Sequence, residues 1–252
     1  MNTKRIKLSS LALMITALVL ALPPTAAATP IVITEIDPSG GSEGQPVYEV
    51  SNLMAGDAFN LNWFWEEEVT EDDVVIVSAE GMVTVGILAD DRLKLNIMLT
   101  NTSTTGEGIR LTSFGLGVSD FAALNSDSTG GNFLTLAAAA NFPEFNDVDA
   151  CATAPTGAGI NCAGGGGGGI LDMSTTDFED TFMLDFEGDF SSGSATLSQF
   201  ALKFQSDIGS FELPGFPSPK PIPEPSSMIL LGLGLAGLGL FGRRRKPSAT
   251  TD

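Results

Sequence analysis

The amino-acid sequence predicts an all-β protein: a two-sheet β-sandwich, jelly-roll-like among the paths open to it, of about nine or ten strands. Three stretches carry that expectation. In Arg92–Thr100, Leu93, Leu95, Ile97 and Leu99 alternate with Arg92, Lys94 and Asn96. That period of two belongs to a half-buried strand and not to a helix. In Phe59–Trp65 the same alternation puts Phe59, Leu61, Trp63 and Trp65 on one face. Ala195–Phe204 places Phe200, Leu202 and Phe204 together in the same way. The β-domain is expected to occupy residues 29–213, long enough to bury a hydrophobic core.

At the start of the chain, Lys4, Arg5 and Lys7 precede the apolar run Leu11–Leu22, which ends in Pro23-Pro24. Residues 1–28 therefore read as a secretory signal peptide for signal peptidase, with Ala26 and Ala28 as the small residues of the cleavage site. Ile31–Ile36 and Val47–Ser51 read as the first two strands, separated by a Gly/Ser/Pro turn. The pair Trp63 and Trp65 admits two roles, filling the core of the sandwich or stacking on a sugar ring.

Six carboxylates follow, at Glu66–Glu68 and Glu71–Asp73. They are expected in a solvated loop. No cofactor is required by the sequence, but calcium is the cation such a loop would suit, although the spacing of an EF-hand is absent. Val74–Ser78 and Met82–Ala89 read as two strands turning at Ala79-Glu80-Gly81. Thr100, Thr102 and Thr104 alternate like the threonine ranks of ice-binding faces, yet no 15-to-30-residue repeat stacks them. Ile109–Val118 is the next strand, running out near Asp120.

Ala137–Ala140 could form a turn of helix, stopped by Pro143. Cys151 and Cys162 are the only cysteines, both in the exported part, and are expected to pair. Gly164–Gly169 lacks the Lys-Ser/Thr of a phosphate-binding loop, since Ile170-Leu171-Asp172 follows, and reads as a flexible loop. Thr181–Phe186 and Ala195–Phe204 are strands, with a turn in Asp185–Phe190. Asp177, Asp180, Asp185 and Asp189 read as surface carboxylates that could also gather around a cation. Phe211–Leu213 closes the domain, and 214–225 forms a proline-rich spacer.

Charge and composition exclude several classes. The exported part holds 30 acidic residues against five basic ones, a formal charge of −25. Such a surface repels nucleic acid and anionic lipid and favours cations and basic partners. There is no histidine, so Ser-His-Asp and Cys-His machinery and His-ligated zinc are absent. Oxygen donors remain, which suit calcium or magnesium.

The tail combines Pro223-Glu224-Pro225, an uncharged apolar run at 226–242, and Arg243-Arg244-Arg245-Lys246 within a basic tail, 243–252. As a helix the run measures roughly 25 Å, just enough for a short transmembrane segment, and the cations hold its far end in the cytoplasm. Gly232-Leu-Gly234-Leu-Ala-Gly237 matches a dinucleotide fingerprint in letters only, lying in the membrane run with no βαβ context. Motif, helix and basic cluster together resemble the PEP-CTERM sorting signal of bacterial exported proteins. That resemblance implies recognition by exosortase, a membrane protease-transpeptidase, and removal of the anchor near the motif.

In the body, Asn141-Phe142-Pro143 through Cys151, Asn161-Cys162-Ala163 with its glycines, Asp177–Phe182 and Leu202–Ser206 resemble the cistern family of PEP-CTERM proteins, which has no established activity. The expectation is an exported protein, first anchored in the inner membrane and then placed on the cell surface or in the exopolysaccharide matrix. Its role is structural or adhesive and not enzymatic. The alternative is a carbohydrate-binding module, with Trp63 and Trp65 stacking on exopolysaccharide and loop acids holding calcium. Ice binding and glycoside hydrolysis by paired carboxylates come third.

Overall fold

The computed structural model describes residues 30–219, apart from 38–43, 71–72, 105–107, 126–127, 129–134, 143–144, 155–161, 163–167, 174–175 and 208. The signal peptide, the membrane run, the sorting motif Pro223–Pro225 and the basic cluster Arg243–Lys246 lie outside the described residues. So do Ala26 and Ala28.

The described residues form 14 strands: β1 Val32–Asp37, β2 Val47–Leu53, β3 Ala58–Thr70, β4 Asp73–Ala89, β5 Arg92–Asn101, β6 Arg110–Val118, β7 Phe121–Leu124, β8 Thr135–Phe142, β9 Asn146–Thr153, β10 Ile170–Leu171, β11 Glu179–Gly188, β12 Ala195–Gln205, β13 Ser210–Pro214 and β14 Phe216–Pro219. They make two antiparallel sheets. The first runs β1-β2-β12-β6-β9-β8, with β10 on β6 and β13 on β12; the second runs β14-β3-β4-β5-β11-β7. Hairpins and the β3-β4-β5 meander stay within one sheet, so the path departs from the alternating crossings of a jelly roll.

The alternation read in the sequence holds. Leu93, Leu95, Ile97 and Leu99 are fully buried, as are Phe200, Leu202 and Phe204 from the opposite sheet. Edge-on ring contacts join the sheets: Phe59 with Phe200 at 5.5 Å, Trp63 with Phe114 at 6.3 Å, and Phe114 with Phe182 at 5.8 Å between centroids. Asn101 fastens the end of β5 to the first sheet, its Nδ2 donating to the carbonyls of Ile109 and Ile170.

Four expectations are corrected. Val74–Ala89 is not two strands, because β4 runs unbroken through Ala79-Glu80-Gly81. Gly81 is there to make room: a Cβ on it would stand 3.0 Å from the Trp63 ring and 2.9 Å from Leu99. Glu66–Glu68 are not in a loop, since β3 carries them, opposite Val74–Ile76, up to Thr70. Ala137–Ala140 is strand, held in β8 by pairing with β9; cross-strand pairing overrides the helix propensity of alanine there. Phe216–Pro219, expected in a free spacer, is an edge strand on β3. Prolines at 217 and 219 are tolerated because an edge strand needs donors on one side only.

Trp63 occupies the centre. It is 1% exposed, and its indole Nε1 donates to the carbonyl of Phe200 at 2.8 Å. The same carbonyl accepts from Gly215 N at 2.9 Å, where the chain leaves β13 in the first sheet for β14 in the second. A Cβ on Gly215 would lie 2.9 Å from the indole.

The two outer faces differ. Over the first sheet lies a second apolar cluster that includes Phe142, Phe145, Val148, Ala201 and the Cys151–Cys162 disulfide. The 11-residue separation of the two cysteines makes their bond worth about 3 kcal/mol by loop entropy. Over the second sheet, Asn62, Phe64, Glu80 and Asn96 are exposed.

Trp63→Ala is expected to cost about 3–5 kcal/mol, the range for removing a large buried aromatic. Gly215→Ala should also destabilise, by crowding the indole. Urea denaturation checks both, and an unchanged midpoint in either variant would contradict this packing.

Candidate functional site: the open face of the second sheet

Opposed residues of antiparallel strands share a face, so the register fixes what the open side presents. One row reads Asn62, Glu80, Thr100 and Glu179 across β3, β4, β5 and β11. The next reads Asn60, Met82, Met98 and Thr181. Between these rows is a depression of about 350 Å³ lined by Asn60, Asn62, Glu80, Met82, Met98 and Thr100. That volume falls at the lower end of small-molecule sites. Phe64 is 51% exposed and follows Asn62 on the same side of β3.

Among the described residues, the side chains of Asn60, Asn62, Glu80 and Thr100 make no hydrogen bond or ion pair with the protein. They are thus available to a ligand. Two amides supply donors and acceptors, Thr100 supplies either, and Glu80 accepts only. Met82 and Met98 add adaptable apolar surface between them.

Further along this face two cations share one carboxylate. Asp185, expected at the surface, is 0% exposed. Arg92 Nε donates to its Oδ1 at 2.8 Å, Arg92 Nη2 donates to Oδ2, and Lys94 Nζ lies 3.1 Å from Oδ2. The hydrogen bond from Arg92 holds the Asp185 carboxyl below its ordinary value, helped by Lys94 and opposed by burial. Asp185 sits opposite Lys94 in the β5–β11 ladder, which is why the two cations reach it.

The other sequence candidates fare unequally. Trp63 cannot stack on a sugar, because both faces of its ring are enclosed. Trp65 is half-buried against the core, and so is also turned inward. Cys151 and Cys162 are bonded. Thr100, Thr102 and Thr104 do not form a rank, since β5 ends at Asn101 and the Thr102 hydroxyl bonds to Ser78 Oγ at 2.9 Å. Among the described residues no group of three or more acidic or cysteine side chains is arranged to hold a metal. The sequence signals the groove only through the outward half of the β3 alternation, Asn60, Asn62 and Phe64, because its other members lie on strands distant in the chain.

At the C-terminal end, residues 221–246 match the family model for the PEP-CTERM protein-sorting motif. The chain carries a PEP-CTERM sorting signal. Such a signal marks an exported protein sorted by exosortase and includes a membrane-anchoring segment. In this PEP-CTERM protein Lys220, Pro221 and Ile222 separate the last described strand from Pro223. No characterised protein and no solved structure matches the chain.

Asp185→Asn is expected to lower the unfolding free energy by about 2 kcal/mol at neutral pH, since two cations lose their charged acceptor. The folded carboxyl titrates below the unfolded value of about 3.9, so its contribution is complete above that value and disappears as the pH falls through the folded one. The gap between wild type and D185N in denaturant titrations should therefore narrow as the pH falls below the ordinary carboxylate value. A gap that stays constant with pH would show that the ion pairs do not stabilise the fold.

Proposed function

We propose that this is a non-catalytic adhesive protein of the bacterial surface or exopolysaccharide matrix, and that it holds glycan on the open face of its second sheet. The carrying observation is the groove whose amide, hydroxyl and carboxylate groups have no partner among the described residues. A sugar ring presents hydroxyls at its rim and C–H groups on its faces. Asn60, Asn62 and Thr100 suit the first, while Met82, Met98 and the exposed ring of Phe64 suit the second.

The sorting signal supports the location, since it delivers the protein outside the cytoplasm where such polymers are found. The non-catalytic reading rests on the lack of histidine, which removes the usual nucleophile-base pairs. The cistern resemblance of the body remains a resemblance and brings no chemistry with it.

Co-sedimentation with exopolysaccharide tests the glycan half. Asn62→Ala combined with Phe64→Ala should weaken binding about tenfold, the scale of one hydrogen bond plus one ring contact. Both side chains are exposed, so the circular dichroism spectrum should not change. If the wild-type protein sediments with no polysaccharide, the glycan reading is wrong. Deleting residues 222–252 and fractionating cells tests the sorting half: the truncated protein should leave the membrane fraction, and retention there would refute anchoring by the tail.

A further inference from the structure

The groove has a sign. Its central row carries Glu80, with Glu179 two strands away, and no cation lies in either row. The two basic residues that share this face, Arg92 and Lys94, are committed to Asp185. On the other sheet Lys203 is committed to Glu212. Three of the five exported cations thus have carboxylate partners, two of them sharing Asp185, while Glu80 and Glu179 have no partner among the described residues. Against a formal charge of −25, an anionic polymer would be repelled from this face and a cationic one drawn to it.

A basic peptide fits the charge but not the surface. Extended peptides commonly add to a sheet edge and use its free backbone groups. The groove lies on β3, β4 and β5, whose ladders are already paired to β14, β4, β5 and β11. A ligand lying flat there meets side chains only: two amides, a hydroxyl, a carboxylate and two thioethers. Those groups match a ring with hydroxyls on its edge, C–H groups on its face and a positive substituent.

We propose that the groove binds an amino-sugar polymer with free ammonium groups, with Glu80 accepting from one ammonium and Asn62 and Thr100 from or to the adjoining hydroxyls. This inference rests on the glycan reading above and narrows it to one ligand class. Charge-assisted hydrogen bonds are roughly twice as strong as neutral ones, so Glu80 sets the preference while the neutral groups set basal affinity.

The test is isothermal titration of the processed protein with oligomers of glucosamine, N-acetylglucosamine and glucose, and with poly-lysine, at low and high salt. Glucosamine oligomers should bind about tenfold more tightly than either neutral series, an advantage reduced by salt. Glu80→Gln should erase the advantage, bringing the glucosamine oligomers down to the affinity of the neutral ones. Glu35→Gln, on the exposed edge strand β1, should keep it. Equal binding of all three sugars, unaffected by Glu80→Gln, overturns this inference and leaves the glycan reading standing. Binding of no sugar overturns both. Poly-lysine binding as tightly as glucosamine oligomers, in competition with them, replaces sugar recognition by a general attraction for polycations.

Discussion

The fold depends on room for one indole. Trp63 lies between two sheets whose backbones come close to it at Gly81 and Gly215, each position where a Cβ would collide with the ring. Its Nε1 shares the Phe200 carbonyl with the amide of Gly215. A buried indole N–H left without an acceptor would cost about 1–3 kcal/mol, so the contact fixes where β12 stands relative to β3. The same contact fixes where the chain changes sheets. Because Gly215 crosses over the ring, β13 ends in the first sheet and β14 begins in the second. Packing at this corner therefore brings the proline-rich segment into the domain.

That arrangement has a consequence for the sorted protein. With β14 ending at Pro219, the four residue steps from there to Pro223 can span at most about 14 Å. The folded domain is consequently close to the sorting motif along the chain. The cation-poor open face belongs to the sheet that includes β14, so tether and groove are parts of one layer.

The asymmetry of the sandwich decides which face is free for function. Polar side chains occur outside the core on both sheets. On the first they are covered: Ser113 and Thr153 are buried and bond to each other at 3.0 Å, and the disulfide cluster lies nearby. On the second, Asn60, Asn62, Glu80 and Thr100 of the central strands have no side-chain partner among the described residues. Where a charge on that sheet is buried, as at Asp185, two cations meet it. The groove gathers several polar groups that have no partner among the described residues.

By itself the sequence determined the all-β class, the inward residues of β3, β5 and β12, the cysteine pair and the sorting signal. Each of these rests on local periodicity, on composition or on a contiguous motif, and such signals do not depend on distant neighbours. Tertiary structure decided what depended on partners far along the chain. Gly81 looked like a turn until Trp63 filled the space above it. Ala137–Ala140 became a strand because β9 was there to pair with it. Asp185 left the surface because Arg92 and Lys94, some 90 residues earlier, came to it across the β5–β11 ladder. The groove was undecided in the sequence for the same reason: Asn62, Glu80 and Thr100 are neighbours only once three strands are in register.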